Sequence, residues 1–221
     1  MGKRRFIFFD VGNTLLFPNR ARMLEPVPAG DHPSLEEWRA LERRTKQEFD
    51  TGMMSGKVDH GFWWTFHTYL LQQLNALDDT VRDKLVENTQ NSANWDQILP
   101  ETRQALERIG QEYGIAVISN ADGRIDAVLR RCGICDCFAS ITDSGIVGHE
   151  KPHPAIFAAA LKEMKADPGE SLYVGDVYSV DYVGAKKAGM DAVLFDVAGA
   201  YRDRELPRVE SLRELEDWLK K

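Results

Sequence analysis

Three carboxylates and one ammonium stand where the chain can do chemistry: Asp10, Asp176, Asp181 and Lys151. Asp10 ends the apolar run Phe6-Ile7-Phe8-Phe9, and Asp176 ends Ser171-Leu172-Tyr173-Val174-Gly175. A third run, Ile115-Ala116-Val117-Ile118, ends in Ser119-Asn120. Short continuous apolar runs suit strands buried on both faces of a parallel sheet. Open α/β sheets gather ligands at the carboxyl ends of their strands, so these three polar ends converge on one edge. Lys151 precedes Pro152 in a loop able to reach that edge, and Asp181 lies on the turn into the next helix. Carboxylates brought together repel unless a cation offsets them. Mg²⁺, a hard ion often shared between one or two carboxylates and a phosphate, is the expected cofactor. Lys151 and the Ser119 hydroxyl then neutralise and bind a phosphoryl group, which Asp10 attacks as a carboxylate nucleophile.

The elements that position these residues alternate. Strands are expected at 6–9, 115–118, 138–141, 171–175 and 192–195. Between them lie helices: one from Pro100 carrying Ala105, Leu106 and Ile109, one with Ile125, Val128 and Leu129, and one at 155–164 with Pro154 at its first turn. Another carries Val183, Ala185 and Ala188 and stops at Gly189, and a last one runs from Glu210 to Leu219. Strand–helix alternation implies an α/β fold with a parallel sheet. Asp122 is expected to cap the helix that follows it.

The stretch 17–95 breaks this rhythm with no convincing strand. Connections between strand and helix are usually about 2–6 residues, so a segment this long reads as an inserted helical unit above the sheet edge. Ser34 with Glu37 three residues on forms a capping-box pattern for a helix to about Asp50. Asp59 is the expected cap of a second helix with Phe62, Trp63, Phe66, Tyr69 and Leu70 along one stripe, and a third holds Val81, Leu85 and Val86. The expected units are a core of residues 1–16 and 97–221 and a cap of residues 17–96.

The 221-residue chain is 43% apolar with a net charge of −7. That length is ample for a buried core. The acidic balance argues against nucleic acid as the main partner, and the basic Lys3, Arg4 and Arg5 read as a solvated lead-in to the first strand. No stretch approaches the ~20 apolar residues of a membrane span, and no signal peptide precedes the first strand. Cys132, Cys135 and Cys137 do not make a disulfide framework, and no adjacent fourth ligand completes a zinc site. Reduced thiols in the cytoplasm are expected. The sequence assigns no oligomeric state.

The motifs together resemble the haloacid dehalogenase-like hydrolase superfamily, of the kind with a helical cap inserted after the first motif. Asp10-Val11-Gly12-Asn13-Thr14-Leu15, Ile118-Ser119-Asn120, Lys151-Pro152, and Gly175-Asp176 through Asp181 match in order and spacing, over nearly the whole chain. The resemblance implies a Rossmann-like three-layer core with an α-helical cap and hydrolysis of a small phosphorylated metabolite through an aspartyl-phosphate. It implies Mg²⁺ held by Asp10, the Gly12 carbonyl and Asp176, with Asp181 near that shell. Thr14 supports the loop, Ser119 binds the transferred group with Asn120 helping, and Lys151 holds nucleophile and substrate.

One departure matters. Phosphatases of the superfamily usually carry a second Asp two residues after the nucleophile, as general acid and base, where this chain has Gly12. Asn13 also replaces a usual Gly. The metal site survives because position 12 contributes a carbonyl; the proton donor does not. A non-catalytic binding protein and phosphonatase or dehalogenase chemistry are therefore the alternative readings. A phosphonatase requires a cap lysine for imine formation; Lys46 and Lys57 are available, and nothing in the sequence points either at the site. Asp31, His32, Asp59 and His60 are the cap groups considered as replacement acids. His149 and His153 are expected to serve the surface, and Trp63 or Trp64 to pack in the cap core.

Overall fold

The computed structural model describes residues 4–57 and 60–221. Lys3 and the expected cap Asp59 lie outside the described residues. In chain order the elements are β1 (Phe6–Phe9), β2 (Leu16–Pro18), α1 (Arg20–Met23), α2 (Leu35–Ser55), α3 (Phe62–Gln73), α4 (Asp79–Gln90), β3 (Trp95–Ile98), α5 (Thr102–Glu112) and β4 (Gly114–Ser119). They continue with α6 (Ile125–Arg131), β5 (Ser140–Asp143), α7 (Ser144–Val147), α8 (Pro154–Met164), β6 (Ser171–Gly175), a π-helical turn Tyr178–Tyr182, α9 (Val183–Lys187), β7 (Asp191–Phe195), β8 (Arg208–Val209) and α10 (Leu212–Leu219).

Six strands form a parallel sheet in the order β5-β4-β1-β6-β7-β8. β1 lies between β4 and β6, with Phe9 opposite Val117 on one side and Val174 on the other. That register brings the three polar strand ends side by side. Side chains alternate across the sheet. Ile7 and Phe9 join Leu106, Ile109, Leu129 and Leu215 on one face; Phe8 joins Ile156, Phe157, Ala185 and Met190 on the other. The core is thus three layers, helix on sheet on helix. Burying each large apolar side chain contributes about 1.5–3 kcal/mol, which offsets the entropy of ordering the chain.

The long connection after β1 is helical, as its composition implies, and has its own apolar cluster of Leu24, Trp38, Leu41, Phe66, Leu70 and Leu85. The expected capping box starts α2: Glu37 N donates to Ser34 Oγ at 3.3 Å and Ser34 N donates to Glu37 Oε2 at 2.7 Å. Gly56, at φ +67°, ends the helix in the left-handed region.

Two features differ from the sequence expectation. β2 and β3, at the two ends of the insertion, pair antiparallel in a separate two-stranded sheet. β8 adds a two-residue strand outside β7. The three cysteines are unpaired. No helix among the described residues is long and apolar enough to cross a membrane.

Candidate active site

β1 ends and Asp10 N donates to Val174 O at 2.8 Å, so sheet pairing itself fixes the carboxylate at the edge. The turn beyond it is tight: Leu15 N and Leu16 N both donate to Val11 O at 2.9 Å. Asn13 sits at φ +53°, which explains why a Gly is usual there and why Asn, one of the few residues that visits this region readily, can replace it. Thr14 is buried and its hydroxyl has no protein partner.

Asp10, Asp176 and Asp181 each offer an oxygen within 4.8 Å of the others. Gly175 makes this possible, because a Cβ there would lie 2.6 Å from Asp181 Cγ. Lys151 Nζ donates to Asp10 Oδ1 at 2.6 Å, to Tyr173 Oη at 2.7 Å and to Asp181 Oδ1 at 2.8 Å. All three ammonium donors are used. Asp181 Oδ2 accepts from Val177 N at 2.9 Å, so both of its oxygens are engaged by the protein.

Asn120 is spent on the lysine loop. Its Oδ1 accepts from Lys151 N at 2.7 Å and its Nδ2 donates to Lys151 O at 3.0 Å. The side chain clamps the Lys151 backbone. Ser119 is buried at the end of β4 beside it.

Electrostatics reflect the crowding. Burial pushes the Asp10 carboxyl up to about 6; Lys151 pulls it down and Asp181 pushes it up. Burial pushes Asp176 up to about 7, with Lys46 opposing and Asp10, Asp181 and Glu42 adding to the rise. For Lys151 burial acts downward, and the Asp10 and Asp181 charges outweigh it to hold the ammonium well above the lysine range. Buried carboxylates that resist ionising, gathered around shared space with only oxygen donors, fit a hard divalent cation such as Mg²⁺. Asp10 and Asp176 are the residues that would hold it.

The position of Gly12 is closed by an aromatic wall. A Cβ there would lie 3.4 Å from the Trp95 ring. The indole is fixed by Nε1 donating to Thr89 O at 2.8 Å and by Trp63 packed at 5.4 Å between ring centroids.

Several expected residues serve elsewhere. Asp122 does not cap α6; it accepts from Ser92 N and Ser92 Oγ at 3.3 and 2.6 Å, and Asp143 takes Gly123 N and Ile125 N instead, at 3.0 and 3.1 Å. Asp143, one strand over, has the better line to the helix's first amides. His153 accepts from Ala155 N at the start of α8 and stacks on His149. His32 donates to backbone carbonyls of Leu24 and Val27, and His60 stacks on Trp64. Trp63 packs against both apolar clusters. Lys57 lines a groove within the insertion with His60, Trp64 and Tyr69.

Sequence reasoning missed Tyr173, which reads as strand core, and Glu42, Asp50 and Tyr201; it named Lys46 only as an available cap lysine, without placing it at the site. Lys46, from α2, stands 2.8 Å from Asp176 Oδ2. Its i,i+4 spacing from Glu42 was the only signal in the sequence, and that signal is common to exposed helices.

Comparison with known proteins gives one consistent pattern. The family model described as haloacid dehalogenase-like hydrolase matches residues 5–189. A Bos taurus protein named haloacid dehalogenase-like hydrolase domain-containing protein 3 is 30% identical over 216 residues, covering 88% of this chain and 82% of its own. The glyceraldehyde 3-phosphate phosphatase of Pyrococcus furiosus is 27% identical over 215 residues, covering 93% and 86%. Among solved structures, the magnesium-bound HAD-hydrolase YfnB of Bacillus subtilis superposes over 100% of both chains with a TM-score of 0.72 at 19% identity, a likeness of fold.

Proposed function

The chain belongs to the haloacid dehalogenase-like hydrolases, and from that membership we propose that it is a Mg²⁺-dependent phosphatase of small phosphorylated metabolites, working through an aspartyl-phosphate on Asp10. The observation that carries this reading is the buried Asp10–Lys151 pair at 2.6 Å, set against Asp176 and Asp181 at the ends of neighbouring strands. The similarity to a glyceraldehyde 3-phosphate phosphatase supports phosphatase activity. We assign residues 1–16 and 97–221 to the catalytic core and 17–96 to the cap; the separate apolar cluster of the insertion favours that division.

In the proposed reaction Lys151 holds Asp10 Oδ1 and leaves Oδ2 to attack phosphorus. The P–O bond to the leaving group breaks, and the leaving oxygen takes a proton. Water then attacks the aspartyl-phosphate, releasing phosphate and restoring the carboxylate. Ser119 and the unpartnered Thr14 hydroxyl are assigned to the phosphoryl oxygens and the turn that carries them. Asp181 and Tyr173 position Lys151, and Asn120 fixes its backbone. Asp10, Asp176 and the Gly12 carbonyl would hold Mg²⁺, which would supply positive charge against the phosphoryl oxygens and favour the ionised nucleophile.

Position 12 narrows the substrates. A positioned general acid contributes roughly 10²–10⁴-fold, and Gly12 with the Trp95 indole in front of it supplies none. Acyl and aryl phosphates, whose leaving groups need little protonation, are the favoured class over alkyl phosphates. Imine chemistry at Lys46 is disfavoured, because an ammonium held between Asp176 and Glu42 is a poor source of free amine. The test is a panel of acyl, aryl and alkyl phosphates assayed with and without Mg²⁺ beside Asp10→Asn. Turnover that needs Mg²⁺ and disappears in Asp10→Asn is expected; turnover that survives the substitution defeats the reading.

A further inference from the structure

Lys46 belongs to the insertion, yet its ammonium stands at the core's carboxylate edge. Nζ lies 2.8 Å from Asp176 Oδ2 and 2.6 Å from Glu42 Oε1, with the side chain 1% exposed. These two carboxylates are its ion-pair partners, and one of them, Glu42, lies on its own helix. Asp10 is 7% exposed and Lys151 and Asp176 each 5%, so the edge is deeply buried with α2 docked.

The docking itself is polar. Along one face of α2, Arg43 Nη1 donates to Ala198 O at 3.0 Å, and Asp50 accepts from Ser179 N and from Tyr201 Oη, both at 2.9 Å. With Lys46, these positions repeat every three or four residues, the spacing of one helix face. Such contacts exchange with water at small net cost, unlike apolar packing.

Counting charges at the edge sets Asp10, Asp176, Asp181 and Glu42 against Lys46 and Lys151. A divalent cation on Asp176 would stand beside the Lys46 ammonium, and in a dry site that repulsion is strong. Lys46 has somewhere to go: Glu42, four residues back on its own helix, stays with it wherever α2 moves. Resting on the assignment of Asp176 as a metal ligand made above, we infer that Lys46 and the divalent cation are alternative counter-ions of Asp176, so that metal entry displaces Lys46 and loosens α2 from the core. Lys46 then sets the metal affinity of the site, and the docked cap is its metal-poor state.

The experiment titrates the full chain with MgCl₂ by calorimetry, comparing wild type, Lys46→Met and Asp176→Asn. Lys46→Met removes the charge and leaves Asp176 without its counter-ion, so binding about tenfold tighter than wild type is expected. Asp176→Asn is expected to abolish binding. Equal or weaker binding by Lys46→Met, with Asp176→Asn inert, overturns the inference and leaves the metal assignment standing. Undiminished binding by Asp176→Asn, or no binding by any of the three, overturns both. Hydrogen exchange on the wild type needs no variant: amides of α2 are expected to exchange faster with MgCl₂ than without. Unchanged or slower exchange counts against the inference even if Lys46→Met fails to fold.

Discussion

Two lysines meet the same cluster of carboxylates from opposite sides, and they meet it differently. Lys151 comes from the core; its three donors are all used, at 2.6 to 2.8 Å, and its backbone is clamped by Asn120. Lys46 comes from the insertion and pairs with two carboxylates, one of them, Glu42, on its own helix. The first arrangement is specific to one geometry and is lost only with the fold. The second keeps one partner on its own helix, so the other, Asp176, can exchange it for another counter-ion. Burial is equally deep at both, so burial alone does not distinguish a permanent site component from a removable one; where the partners sit does.

The contrast is broken most severely by Lys151→Met. Removing one partner of a buried ion pair typically costs 3–5 kcal/mol, because the opposite charge is left uncompensated, and here two carboxylates are abandoned. Loss of a preorganised donor also costs about 10²–10³ in kcat. Denaturant unfolding without Mg²⁺ and steady-state turnover with it measure the two effects. Equal stability losses for Lys151→Met and Lys46→Met would erase the distinction between the lysines.

pH separates the core edge from the cap. Asp10 and Asp176 are raised from 3.8 to about 6 and about 7, so between those values the folded state holds protons that the unfolded chain has released. Metal-free stability therefore falls as pH rises from about 4 to about 7, by several kcal/mol in order of magnitude. His67 in α3 behaves oppositely. Burial pushes it down to about 3 from 6.5. Thr89 Oγ1 donates to Leu85 O, so His67 Nε2 must donate to Thr89 Oγ1, at 2.8 Å, as a neutral ring. The unfolded chain binds the proton first, and stability is lost as pH falls through 6.5 toward 3. Hydrogen-exchange protection without Mg²⁺, corrected for the intrinsic pH dependence of amide exchange, is expected to be lower in α3 and α4 at pH 5 than at pH 7, and lower in β1 and β6 at pH 7 than at pH 5. A uniform change across both regions would show that the two are not independently sensitive.

A smaller effect is expected at Asn120. Asn120→Ala removes both bonds to the Lys151 backbone but no charge. A loss of about 1 kcal/mol in stability is expected for such bonds. If Asn120 acts through Lys151, kcat falls while KM is nearly unchanged; a raised KM with unchanged kcat would return Asn120 to substrate binding.

The same contrast governs what could be read from the sequence. Asp10, Ser119 and Asp176 were legible because each ends an apolar run, and parallel pairing of β1 with β4 and β6 then has to bring the ends together. Lys151 followed from its loop. Tyr173 was not legible: within Ser171–Gly175 it reads as one more core residue, and only the sheet shows its hydroxyl reaching Lys151. Glu42, Lys46 and Asp50 lie on a charged helix whose buried face is chosen by docking, not by local pattern, so nothing in the sequence pointed them at the site. β2 escaped because it is three residues long, includes Pro18 and has a register shift at Phe17/Pro18. Chemistry at the strand ends leaves a local signature; chemistry supplied from within a strand or across an interface does not.

The least disruptive test is at Gly12, where the core edge meets the end of the insertion. Gly12 is not among the residues at positive φ, so its backbone accepts a side chain. A Cβ would meet Trp95 Cζ3 at 3.4 Å and Cη2 at 3.6 Å, close to ordinary contact. Gly12→Ala is therefore expected to change stability by no more than about 0.5 kcal/mol. It adds no proton donor, so the ratio of kcat/KM for phenyl phosphate to that for glycerol phosphate is expected to stay near the wild-type value. Gly12→Asp is different, since atoms beyond Cβ must turn away from an indole that Thr89 O and Trp63 hold in place. The new carboxylate then stands off the leaving oxygen, and alkyl-phosphate turnover stays low despite the restored acid. A folding check must accompany the assay. A Gly12→Asp protein that is well folded and gains alkyl-phosphate turnover would show that the indole yields. Wild-type protein that hydrolyses glycerol phosphate as fast as phenyl phosphate would show that the acid is supplied from somewhere other than position 12.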